Sequence, residues 1–179
     1  MITWIKAPGL AEKIRKAGIH FSEVLEYDNT RRYVTSDDAA AQSIIGNYTV
    51  AEAKAFLKGQ IQSEINAAYD RAIAQQYGTT PHALESGGWR TKEAQARAWD
   101  AWNAGGQVGA EPSTSELAAR VTVSNPLADE VAAVIVKADA LHLLDAAIQS
   151  NVQAIKEQID GAADFAALNA INLSAGWPV

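Results

Sequence analysis

Residues 125–161 read NPLADEVAAVIVKADALHLLDAAIQSNVQAIKEQIDG. Asn125 and Pro126 pair a helix-capping residue with one whose fixed φ suits the first helical position. Asp129 and Glu130 follow in the first turn, where acidic side chains favour the helix dipole. Leu127, Val131, Val134, Ala138, Leu141, Ile148, Val152, Ile155 and Ile159 then recur at steps of three and four, apart from one gap. The spacing predicts one long helix with a heptad-like seam, closed at Asp160-Gly161, that faces a partner helix within the chain or outside it. Asp145 falls in the gap, where an apolar side chain is expected. Either the seam rotates so that Leu144 takes its place, or the acid is a specificity device that fixes a register or partner.

Upstream, Thr49-Val50-Ala51-Glu52 has the form of a capping box and predicts a helix of about seven turns ending near Tyr77-Gly78. Phe56/Leu57, Ile61, Ile65, Tyr69 and Ile73 give it one apolar stripe. Thr79 to Gly88 reads as a loop, and Trp89 to Asn103 as a further helix closed by Gly105-Gly106. Ser113-Thr114-Ser115-Glu116 predicts a second capping box and a short helix through Leu117 and Val121. Ala163 to Leu173 predicts the last helix.

Residues 1–48 read differently. Ile2–Lys6, Ile19–Tyr27 and Arg31–Thr35 are β-like, with Asp28-Asn29 as a turn pair. Leu10–Ala17 has helical spacing up to Gly18, and Ser36 or Asp37 opens a short helix to Gly46. The expected fold class is mainly α: a small N-terminal α+β module (1–48) followed by an up-down helical bundle (49–179). Of 36 alanines, 30 follow Tyr48, in keeping with that division.

Net charge is −6, and residues 113–179 carry three basic against eight acidic side chains. Such a surface repels phosphate backbones, and no basic stripe with interleaved aromatics occurs, so no nucleic-acid partner is expected. The chain has no cysteine, which removes thiolate chemistry and zinc knuckles. No apolar run is long enough for a membrane span or a signal peptide, which implies a cytosolic setting.

A search for chemistry finds little. None of His20, His82 and His142 belongs to a ligand set large enough for a metal site, and Asp139 near His142 reads as a surface ion pair. Gly87-Gly88 and Gly105-Gly106 sit at helix ends without the strand and lysine of a phosphate loop. No catalytic, metal, cofactor or small-molecule site is expected, and the chain reads as a non-enzyme. The candidate partner-binding residues are Trp89, Trp99, Trp102 and Asp145. Trp99 and Trp102 share a helix face, either as a core wedge or as anchors for a partner.

Several stretches resemble the tail-fibre assembly proteins (chaperones) of tailed bacteriophages. Ser36–Ile45, Glu64–Arg71, the Trp89–Trp99 helix containing Glu93-Ala94, Ser115–Val121 and the closing Trp177-Pro178 occur in that family's order. The resemblance implies a phage tail protein that contacts a tail-fibre or other tail subunit. It would act in the host cytoplasm during assembly, or be retained in the virion tail as a structural component. A regulatory protein-binding module is the further alternative.

Overall fold

The computed structural model describes residues 2–25, 30–35, 38–77 and 88–178, with backbone only for residues 2–5, 22–25, 30–35, 38 and 75–77. The predicted Asp28-Asn29 turn, the Ser36/Asp37 cap, the Thr79–Gly87 loop and His82 lie outside the described residues. The chain is mainly helical. Its described helices are α1 (Leu10–Lys16), α2 (Asp38–Asn47), α3 (Val50–Tyr77), α4 (Trp89–Ala104), α5 (Ser115–Ala118), α6 (Leu127–Gly161) and α7 (Phe165–Ala170). Strands β1 (Ile2–Ile5), β2 (Phe21–Leu25) and β3 (Thr30–Thr35) form an antiparallel sheet of order β1-β3-β2, with Ile2 opposite Tyr33 and Phe21 opposite Thr35.

Contacts divide the chain into two compact units, Met1–Asn66 with Ser150–Trp177, and Ala67–Gln149 with Pro178–Val179. The division expected after Tyr48 is therefore not where the contacts part. The reason is visible in the first unit. Lys54 donates to the Asp160 carbonyl at 2.8 Å and Lys58 pairs with the Asp160 carboxylate at 2.6 Å. These bonds attach the start of α3 to the end of α6.

The first unit is centred on Leu10 and Ile14 of α1, with Ile19 and Ala41, flanked by Phe21, Ile44, Ile45 and Tyr48. Tyr48 gathers three elements. Its hydroxyl donates to the Pro8 carbonyl at 2.6 Å, its ring stacks on Phe165 at 6.0 Å, and Lys13 lies 5.4 Å above it. Burial, and then the nearby Glu52 and Glu12 carboxylates, push the Tyr48 pKa up. Gly9 enters α1 at φ +79°, and a Cβ there would stand 2.5 Å from Phe56 Cγ, so only glycine fits both the turn and the contact.

The capping box at the start of α3 forms as read. Thr49 N–H donates to Glu52 Oε2 at 2.8 Å, and Glu52 N–H donates to Thr49 Oγ1 at 3.2 Å. Along α3 the buried residues include Ala53, Leu57, Ile61, Ala68, Ala72 and Ile73. Alanine thus shares the apolar stripe that the larger side chains announced.

Helix α6 buries Val131, Val134, Ala138, Leu144, Ile148, Val152, Ile155 and Ile159. Leu144 fills the gap in the seam, and Asp145 is exposed. The helix begins at Leu127, one residue later than expected, because the Pro126 carbonyl accepts its first bonds from Asp129 and Glu130. Asn125 does not cap through its oxygen. Its amide nitrogen donates to Glu130 Oε2 at 3.1 Å and to the Arg120 carbonyl at 3.0 Å.

Two short helices depart from expectation. α5 ends at Ala118 and does not reach Val121, and Thr114 makes no side-chain cap bond. Gln95 of α4 caps it instead, accepting from Glu116 N–H at 2.9 Å and donating to Ser115 Oγ at 3.2 Å. α7 is shorter than the predicted Ala163–Leu173, because Asp164 takes the N-cap, accepting from Ala167 N–H at 2.8 Å. Beyond its end, Asn172 Oδ1 accepts from Ser174 N–H at 3.0 Å in a local turn. Trp177 is buried and donates to the Leu173 carbonyl at 2.6 Å.

Candidate contact surface

All four sequence-predicted contact residues belong to the second unit. Its core is Ala96 of α4, Leu117 of α5, and Val131 and Val134 of α6, with Trp89, Trp99, Leu127 and Ile135 half-buried against it. Trp89 and Trp99 therefore act as wedges between helices. Trp102 lies beside Trp99, ring centroids 6.4 Å apart and tilted by 54°. The two indoles differ in their bonding. Trp99 donates to Glu111 Oε1 at 3.2 Å, whereas the buried Trp102 indole nitrogen meets no acceptor among the described residues. A buried donor without a partner costs about 1–3 kcal/mol.

Asp145 is not part of this cluster. Its carboxylate accepts from the Tyr69 hydroxyl of α3, a residue of the same unit. Burial first, and then the Asp145 hydrogen bond, push the Tyr69 pKa up to about 12. The acid on the seam is matched by a neutral donor and not by a base.

Asp139 and His142 do not pair with each other. Asp139 accepts from Arg97 at 2.6 Å, and His142 lies 3.5 Å from Glu93, which also holds Arg97 at 2.9 Å. The two carboxylates, Asp139 first, raise the Arg97 pKa. This α4–α6 network is solvent-facing, where single ion pairs contribute little. Among the described residues no group of three or more histidine, cysteine or acidic side chains is placed to hold a metal ion, and no helix is long and apolar enough to cross a membrane.

The residues that sequence reasoning missed lie on the other side of α6. Val136 is 67% exposed and Leu143 is 73% exposed. They belong to the series Ala133, Val136, Ala140, Leu143 and Ala147, whose members are exposed except for the half-buried Ala140. The steps are three, four, three and four, the spacing of helix-pairing positions. The signal was present in the sequence, but the stronger seam along the same helix masked it. Val108 and Val123 are also exposed in this unit.

Compared with family models, with curated proteins and with solved structures, the chain has no match.

Proposed function

We propose that this chain is a contact protein of a bacteriophage tail that binds a tail-fibre or fibre-proximal subunit and acts in fibre assembly. The observation that carries the contact role is the second apolar stripe of α6, Ala133 to Ala147, open to solvent beside a charged network. Exposed apolar residues scattered singly need no explanation, but a set in heptad register on one helix face is suited to receive another helix. The partner class rests on the ordered motifs from Ser36 to Pro178. On this reading the chain works in the host cytoplasm without catalysing a reaction.

The test is co-expression of the neighbouring fibre gene with this chain, and with a Val136→Asp, Leu143→Asp variant. The wild type should raise the yield of soluble fibre trimer and the variant should not, while both remain folded by circular dichroism. An unchanged fibre yield, with the chain present in purified particles at a copy number matching tail symmetry, would replace the chaperone with a structural tail component. Absence of any tail-protein binding would end both readings.

A further inference from the structure

The first unit carries an open groove of about 390 Å³ formed by the Lys6–Gly9 turn, α1, the start of α3 and α7. We infer that this groove binds an extended segment of a partner polypeptide in which a carboxylate side chain neighbours a bulky apolar one.

The walls are apolar where Pro8, Phe56, Leu168 and Ile171 line them. Each carbonyl of the turn that forms one edge already accepts a hydrogen bond within the chain. The Lys6 carbonyl accepts from Asn169 Nδ2 at 2.5 Å, and the Ala7 carbonyl accepts from Leu10 N–H at 3.3 Å. The Pro8 carbonyl accepts from Tyr48, and the Gly9 carbonyl accepts from Lys13 N–H at 3.0 Å.

The charges decide the sign of the occupant. Of the groove's charged residues, Glu12 is paired with Lys16 at 2.5 Å. Lys6 and Arg15 have no carboxylate partner among the described residues. The Arg15 guanidinium lies 5.1 Å from the Phe21 ring centroid, a cation–π contact that places the group while its N–H edges stay available. Two cations without a carboxylate partner among the described residues, set beside an apolar wall, complement an acidic–apolar segment. An extended peptide sets alternate side chains on one face roughly 7 Å apart, so one strand face supplies both kinds of group. The volume falls within the range of about 300–1,000 Å³ that holds specific ligands. None of this depends on what covers the exposed stripe of α6.

The test uses the full chain and a fluorescent, end-capped octapeptide of Leu-Ser-Glu-Ser repeated twice, which sets leucine and glutamate in turn on one face, read by anisotropy. The control peptide has lysine in place of glutamate. The glutamate peptide should bind at least about tenfold more tightly than the lysine peptide, and Lys6→Ala with Arg15→Gln should remove that preference. Amide shifts in the wild-type chain should centre on Gly9, Phe56 and Ile171, a readout that needs no variant. Equal affinity for the two peptides, or shifts elsewhere, would overturn the inference. So would self-association that the double variant abolishes, since the occupant would then be a second copy of this chain.

Discussion

The Tyr69 hydroxyl donates to the Asp145 carboxylate and ties α3 to α6 within the second unit, at the point where the α6 seam admits an acid. Tyr69→Phe removes the donor and keeps the ring. It should lower stability by about 1 kcal/mol, the typical net value of one hydrogen bond. In a double-mutant cycle, Asp145→Leu should show most of that loss as coupling to Tyr69. Because the folded Tyr69 pKa of about 12 lies above its ordinary value of 10.0, its contribution is complete below pH 10 and is lost as pH rises toward 12. Denaturant melts of wild type and Tyr69→Phe across that window should therefore converge.

Glu52 makes the opposite prediction. The Lys13 hydrogen bond at 2.5 Å, followed by those from Thr49, holds its pKa down to about 2, against an ordinary 4.5. Its contribution is present above pH 4.5 and is lost as pH falls toward 2. Acid unfolding followed by circular dichroism should be less steep over that interval in Glu52→Gln. Thr49→Ala should cost about 1 kcal/mol at neutral pH through the lost cap.

Gly9 and Gly18 share a left-handed backbone, with φ of +79° and +77°, but differ in surroundings. A Cβ at Gly18 meets nothing within 4 Å, whereas one at Gly9 runs into the Phe56 ring. Gly18→Ala should therefore cost only the conformational strain, about 1–2 kcal/mol, and Gly9→Ala clearly more. Thermal melts of the two variants side by side measure the steric part. Equal losses would mean that Phe56 yields without cost.

Trp99→Phe and Trp102→Phe should separate the two indoles. The first breaks the bond to Glu111 and should destabilise by about 0.5–1.5 kcal/mol. The second removes a buried N–H without an acceptor, so stability should hold or rise by up to about 1 kcal/mol. Should Trp102→Phe be as damaging as Trp99→Phe, the indole nitrogen has a partner in the folded chain.

Much of the helical architecture was legible because its signals are local. Thr49 and Glu52 are three residues apart and satisfy each other, so the start of α3 needs no tertiary information. The α6 seam was legible for a similar reason, and the Leu144 alternative at Asp145 is the arrangement found. Where reading failed, a distant side chain had taken over a local role. Gln95, twenty-one residues before Glu116, caps α5 in place of the predicted box. Ala53, Ala68 and Ala72 were not recognised as core, since alanine has the same composition signature in a buried stripe as on a surface helix. Of the contact residues, the Trp99–Trp102 adjacency followed from helical spacing, and Trp89 is half-buried against the core of the second unit. The unmade bond of Trp102 had no sequence signal, because hydrogen-bond pairing is set by what the fold brings near.

The bond from Asn169 to the Lys6 carbonyl spans 163 residues and bears on the order of events at the ribosome. The first unit takes its sheet, α1 and α2 from the start of the chain, but it closes with residues 150–177. At about 5–20 residues per second, the 103 residues between Asn66 and Asn169 take roughly 5–20 s to synthesise. During that interval the chain can assemble the contacts of residues 67–149, while Tyr48 and the Lys6 carbonyl wait for Phe165 and Asn169. The half that is translated first is the last to be completed.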